Sequence, residues 1–342
     1  MISLPNTAKI FSSCCGDVMP TKSVSPLKVC LCLALLYFSW GGSFLGTKFV
    51  LTSFPPVFQG GIRLCTAGIL LLFIVSFTDH GRISGLKELF HYWNMAFFIM
   101  FLNNVFQALG QQSVPSGVAA MLYGVIPLAM VLGGWLMFGD SRPSLLQCVG
   151  IAGATIGMAI LSFGGSVDQS VDISLSGVLL LMVGVFSFVL GSLYSRYFLR
   201  NSKLSLYGSV ALVMFFGGIQ SLVASWLMGE KVNLDAVTPE AWCAMVFLTL
   251  FTSILGYGCY YWLLAHTRTI VAVSFAYIDP VIAVVLGAVF AGEPVTFRII
   301  FACTLIVGAV VCVFSSNNGK DSRPCRRPMK NMSTRMARTN NL

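Results

Sequence analysis

Apolar residues run along this chain in ten blocks of about twenty, each closed by a short polar or turn-forming segment. The blocks cover roughly 30 to 53, 57 to 77, 94 to 114, 116 to 137, 145 to 163, 176 to 198, 205 to 227, 241 to 264, 269 to 290 and 297 to 314. A bilayer core about 30 Å thick needs about 20 apolar residues per helix, so each block predicts one transmembrane span. Barrel strands would alternate apolar and polar positions, which LCLALLYFSW and GVLLLMVGVFSFVL do not. A helix also satisfies its own backbone where water is absent. The links, such as SVPSG and HTRT, leave no room for a separate soluble domain. The predicted fold class is all-α, a polytopic membrane protein with ten transmembrane helices.

The pattern occurs twice. Ser116 to Asp140 overlays Thr269 to Glu293 without a gap at an offset of 153, matching Val118 with Val271, Ala119 with Ala272, Pro127 with Pro280, Val131 with Val284 and Gly139 with Gly292. Phe38 to Lys48 overlays Phe186 to Arg196 at an offset of 148, matching Ser39 with Ser187 and the bases Lys48 with Arg196. Shared placement of proline, glycine, a terminal acid and an intramembrane base points to duplication. The expected organisation is a cytoplasmic N-terminal segment over 1–28, five-helix repeats over 29–165 and 174–315, and a basic cytoplasmic tail over 316–342. Five spans per half is odd, so the second repeat enters the membrane from the opposite side. Inverted repeats with a site between them supply two states of similar energy, open to opposite sides.

Composition agrees: 56% of residues are hydrophobic, 10% are charged, and mean hydropathy is +0.84. That balance is far from that of a soluble domain. Of the 21 Lys and Arg residues, 17 fall in segments on one side of the membrane, Lys231 and Arg298 on the other, and Lys48 and Arg63 within spans. The positive-inside rule places both termini in the cytoplasm of a cell whose inner membrane holds the chain. The same bias accounts for the net charge of +9 without a nucleic-acid partner, and the basic tail can touch anionic lipid. The first 28 residues include Cys14 and Cys15 and precede a block too long for a signal peptide, and Met19 offers an alternative start. The eleven cysteines show no C-x-x-C and mostly sit in spans, so neither disulfides nor a metal is expected.

The third block carries Asn103, Asn104, Gln107 and Gln111 on one helical face. At the offset of 153, Asn104 and Gln107 map onto Tyr257 and Tyr260 of the eighth block, which also holds Tyr261. Two symmetry-related helices thus offer an amide face and an aromatic face to one cavity, unless they serve only as interhelical glue. The first block places Trp40, Phe44 and Lys48 at i, i+4 and i+8. Lys48 and Arg63 either line a site or snorkel to the headgroups, and for Arg196 snorkelling is the better reading. Asp279 stands mid-span beside Pro280, which tends to kink a helix. A carboxylate at that depth pairs with a base, takes up a proton or meets a cationic substrate. Tyr277, and Tyr123 and Pro127 in the twin helix, are further candidates. Gly42 with Gly46 and Gly153 with Gly157 are close-packing points, and Gly150, Gly153 and Gly157 pack either within the bundle or across a homodimer. The stretch GGSFLGTKF lacks the G-K-[ST] order of a phosphate loop, so no ATP site and no cofactor is implied.

Trp40, Gly42 and Ser43 with Lys48 behind them, Val114 to Ala120 opening the fourth block, and Asp279 to Glu293 closing the ninth together resemble the EamA branch of the drug/metabolite transporter superfamily, over residues 30 to 314. The resemblance implies a secondary transporter with a central cavity between its halves, lined by spans one, three, four, six, eight and nine. Family members move amino acids and their derivatives, nucleosides, drugs and S-adenosylmethionine, so the family leaves the substrate open. The chain departs from its relatives at Asp279, where a neutral residue is common, and at Asp140. An acid facing an aromatic cavity suits a proton-coupled carrier or a cationic, planar or sulfonium-bearing substrate. The reading is a transporter of an amino-acid-like or S-adenosylmethionine-like metabolite, with a proton-coupled antiport exporter of amino acids or drugs as the alternative. A membrane-embedded transferase would need clustered acids and histidines, whereas His80, His91 and His266 lie in loops or at a span end.

Overall fold

A computed structural model of the protein describes residues 25–77, 83, 85–114, 116–138, 174–199 and 202–291, with parts of 144–156 and 297–309. Every regular element among them is helical. Five helices are long and apolar enough to cross a membrane: Pro26–Val50, Pro56–Ser76, Leu175–Arg196, Leu206–Leu227 and Pro239–His266. The terminal acids Asp140 and Glu293, Gly157, most of the N-terminal segment, the tail and most of the fifth and tenth blocks lie outside the described residues.

The first span is α1 (Pro26–Gly41) and α2 (Ser43–Val50), meeting at Gly42, and the second is α3 (Pro56–Ser76). The third is composite: α4 (Leu86–Met95), a π-helical segment (Ala96–Leu102) and α5 (Asn103–Gln111). It begins well before the apolar block at 94, because Lys87, Glu88 and His91 make its first turns polar while leaving them helical. Next come α6 (Ser116–Tyr123) and α7 (Ile126–Phe138), then α8 (Leu175–Leu199) and α9 (Leu206–Leu227). The eighth span repeats the third, with α10 (Pro239–Phe247), a π segment (Leu248–Gly256) and α11 (Tyr257–His266). Two pieces, α12 (Thr269–Ala272) and α13 (Phe275–Ala291), make the ninth.

Repeat-related irregularities recur. Adding 153 to Ala96–Leu102 gives 249–255, within one residue of the second π segment at either end. Both twin prolines follow a tightened turn. Proline lacks the N–H that would bond four residues back and its ring crowds that carbonyl, here Tyr123 for Pro127 and Ala276 for Pro280. The chain responds with i→i+3 bonds upstream, Val125 N–H to Leu122 at 3.2 Å in the first case and Ala276 N–H to Val273 at 3.2 Å in the second.

The two halves meet along a seam between α3 and α9. A Cβ at Gly68 would lie 2.8 Å from the Phe215 Cα, a Cβ at Gly218 would lie 2.6 Å from the Cys65 sulfur, and one at Gly61 would lie 2.9 Å from the Leu222 amide nitrogen. Contacts climb α3 as they descend α9, so the helices run antiparallel. At an offset of 150, Cys65 corresponds to Phe215 and Gly68 to Gly218. Residue 65 therefore touches the image of residue 68, and 68 touches the image of 65, the reciprocity of an isologous interface. A pseudo-two-fold axis crosses the seam.

At one end the seam is tied by a carboxylate. The α9 helix stops in a Schellman turn: Gly229 takes φ +70°, its N–H reaches the Trp226 carbonyl at 3.1 Å, and the Glu230 N–H reaches the Ser225 carbonyl at 3.1 Å. That turn delivers Glu230 to the start of α3, where its side chain accepts from the Val57 and Phe58 N–H groups at 3.1 and 2.8 Å and from Ser225 Oγ at 2.7 Å. Free N–H groups and the helix dipole both favour an anion there. Gly229→Ala is expected to cost about 1–2 kcal/mol through left-handed strain, and Glu230→Ala about 1–2 kcal/mol through loss of the cap. Both should lower the melting temperature of detergent-solubilised protein, and an unchanged melting curve for Glu230→Ala would contradict the tie.

Candidate functional site

Between the halves lies a cavity lined by residues from seven spans, including Trp40, Ser43, Phe44, Thr47, Arg63, Asn103, Asn104, Gln107, Tyr123, Phe188, Tyr257 and Asp279. About 40 Å³ of it is open to the centre of a water-sized sphere, room for a few waters, where small-molecule pockets measure about 300–1,000 Å³.

The π segments set its lining. Widening the helix shifts the register of every residue that follows, and π turns frequently mark functional sites. Immediately after the first comes Asn103–Asn104, and after the second comes Tyr257. Asn104 Nδ2 donates to the Met100 carbonyl at 2.7 Å, in the first π segment, and to Tyr257 Oη at 3.4 Å. Trp40 Nε1 donates to the Thr252 carbonyl in the second π segment at 3.1 Å. Asn104 and Tyr257 are 153 residues apart, so they are repeat equivalents in contact, which places the axis through the cavity. The equivalents Trp40 and Phe188 also touch, with ring centroids 5.9 Å apart.

Two polar anchors complete the amide wall. Tyr123 Oη donates to Asn103 Oδ1 at 2.8 Å, and the Arg63 guanidinium donates through Nη2 to Asn104 Oδ1 while Nε has no partner among the described residues. Arg63 is 4% exposed: it turns inward and does not snorkel. Asp279 is 3% exposed, its Oδ1 accepts no hydrogen bond, and no ion pair reaches it among the described residues. No base among the described residues pairs with it, and Lys48 is exposed.

Not every expected residue lines the cavity. Lys48 is exposed. Eight residues at about 100° each carry it about 80° from Trp40, whereas Thr47 stays within about 20° and continues the stripe. Gln111 lies one turn beyond Gln107, half-buried, with neither amide atom paired among the described residues. Tyr260 and Tyr277 are buried behind the wall. Arg196 Nη1 donates to Thr269 Oγ1 at 2.8 Å, bridging α8 to α12 at the end of the bundle. Gly42 and Gly46 pack on Phe247 and Leu248, with Cβ positions 3.1 Å from each, and Gly153 faces Ala309 at 3.5 Å. Sequence reasoning passed over Phe188, Phe275, Thr252 and Ser43. Phe188 was available as the image of Trp40, and Phe275 from its i, i+4 relation to Asp279. Thr252 gave no signal, because a π turn displaces it from the face an α-helix predicts.

Asn104→Ala leaves the Arg63 guanidinium without its acceptor inside the bundle, and a lowered melting temperature corresponding to about 1–2 kcal/mol is expected. Lys48→Gln should shift it by less than about 0.5 kcal/mol. Equal effects of the two would contradict the placement of these bases.

The profile of the EamA-like transporter family matches the chain twice, over residues 27–163 and 175–315. The uncharacterized inner membrane transporter YedA of Escherichia coli K12 is 30% identical over 82% of this chain and 89% of its own length. The uncharacterized transporter YvbV of Bacillus subtilis is 25% identical over 85% of this chain and 93% of its own. A solved crystal structure superimposes with a TM-score of 0.68 at 17% identity, covering 85% of this chain and 98% of that one, which speaks for the fold. Two matched halves built around one axis and one cavity follow from descent: the chain belongs to the EamA-like transporter family.

Proposed function

We propose that the protein is a secondary transporter of the inner membrane that carries a small zwitterionic or cationic metabolite, amino-acid-like or S-adenosylmethionine-like, by alternating access, with both termini on the cytoplasmic side. The observation that carries this reading is Asp279, a buried acid whose Oδ1 has no partner among the described residues, in a cavity six of whose fifteen lining residues are aromatic. Such a carboxylate is costly within a bilayer unless a charge or water meets it. Rings cannot supply hydrogen bonds, but they attract a cation by about 0.5–2 kcal/mol. Arg63, held by Asn104 with Nε unengaged, offers a guanidinium to a substrate carboxylate from the first repeat. One charge from each half suits a molecule that bears both signs.

Uptake into proteoliposomes of radiolabelled S-adenosylmethionine and a panel of amino acids tests this. Saturable uptake of at least one is expected, with Asp279→Asn reducing the initial rate at least about tenfold, the equivalent of about 1.4 kcal/mol. Uptake of anionic or neutral solutes only, unaffected by Asp279→Asn, would refute the assignment.

A further inference from the structure

One wall of the cavity is a plug. Trp40, Phe188, Tyr260 and Phe275 come from four different helices, and all six pairings among them are ring contacts, with centroids 4.4 to 6.0 Å apart. Three of these rings line the cavity, and Tyr260 stands behind them. Beyond it, toward the end where Arg196 bonds Thr269, the Ser192 and Ser195 hydroxyls of α8 face the Tyr260 and Tyr261 phenols of α11. Ser195 Oγ donates to the Ser192 carbonyl at 2.9 Å. Ser192 Oγ, Tyr260 Oη, Tyr261 Oη and Tyr277 Oη are buried, and none has a hydrogen-bond partner among the described residues.

Elsewhere in the bundle Ser39 and Ser253 Oγ also have no partner among the described residues, but other deep hydroxyls do. Ser221 and Thr249 are as deeply placed, and each donates to a carbonyl one turn back in its own span, at 2.9 and 2.7 Å. Phenylalanine would fill the same volume as Tyr260 or Tyr261 without a stranded hydroxyl, and a stranded polar group at bilayer depth carries a desolvation penalty. A ladder of unpaired hydroxyls leading from the cavity to one end is explained if water and substrate reach it in another state of the cycle.

We propose that the passage from the cavity toward the Arg196–Thr269 end runs between α8 and α11, with the four-ring plug as its gate and Ser192, Tyr260 and Tyr261 as its polar lining. It rests on the transport reading above. Separation of α8 from α11 opens the plug and hydrates the hydroxyls together.

Thiol accessibility tests the passage without any knowledge of the substrate. Residues 149–242 contain no native cysteine, so a label at position 192 is located by mass spectrometry of its own fragment. Ser192→Cys and Ser195→Cys are near-isosteric, and Leu190→Cys on the same helix, 44% exposed on the lipid-facing surface, is the control. Each folded variant is treated in sealed vesicles of either orientation with a membrane-impermeant cationic methanethiosulfonate. Trypsin cleavage at the exposed Lys203 identifies the face. The expected result is labelling of Ser192→Cys or Ser195→Cys from the Lys203 face at least about tenfold faster than Leu190→Cys, because a thiolate forms only where water reaches it. Labelling no faster than the control from either face, or from the opposite face alone, overturns the passage. Labelling as expected with no compound of the panel transported would uphold the passage and reject the substrate assignment, so the two failures are separable.

Discussion

The distance between α3 and α9 is the constraint on which the rest of the structure depends. At Gly61, Gly68 and Gly218 the opposing backbone or side chain occupies the space a Cβ would need, so the halves are locked at backbone contact. In a bilayer no hydrophobic effect drives helices together, and such close approach is what van der Waals association uses in its place. Because the contact maps onto itself under the repeat operation, it can persist in both states of a transporter whose two states are related by exchanging the halves. Under the alternating access proposed above, the parts that change partners lie away from this seam. Away from the seam, α8 packs directly on the amide helix α5 and brings Phe188 to the ring plug.

Irregular backbone then aims the side chains. A regular α-helix through residues 96–111 would spread its amides over a face set by the 3.6 period. The π segment re-registers it so that Asn103 meets Tyr123 while Asn104 meets Arg63 and Tyr257. Its twin does the same for Tyr257, and the Thr252 carbonyl within it accepts from the Trp40 indole. Backbone carbonyls off the helical ladder are tolerated at this depth only where a side chain or cavity takes them.

Much of this was legible in the chain. Ten apolar blocks, the offsets of 148 and 153 and the twin prolines give the helical class and the duplication, since hydrophobic length and proline geometry are local properties. The cavity wall was half legible. Asn104 and Tyr257 could be paired because equivalents meet at an axis, and Trp40, Phe44 and Asp279 because they share a helix face with other cavity residues. Lys48 was misplaced by treating i+8 as the same face as i. Arg63 stayed ambiguous because burial of a base near a helix end depends on an acceptor, Asn104, that sits 41 residues away. Thr252 and the π segments were invisible, since nothing in AFFIMFL or LTLFTSILG distinguishes a π turn from an α turn.

Duplication made the frame symmetric, and the charges break that symmetry. The image of Asp279 at an offset of 153 is Ile126, which lines the same cavity, and the image of Arg63 at an offset of 150 is the buried Val213. Tyr123 maps onto Ala276, and the amides of Asn104 and Gln107 map onto phenols. Amides of the first half therefore stand where the second half has phenols, two donors and a carbonyl in place of one hydroxyl. Two identical halves would give two states of equal energy. If the protein works by the alternating access proposed above, these replacements tilt the balance, and since each factor of ten in population needs only about 1.4 kcal/mol, a few differently satisfied hydroxyls are enough to set which state predominates. The backbone of the cavity records the duplication, while its chemistry records what each half acquired afterwards.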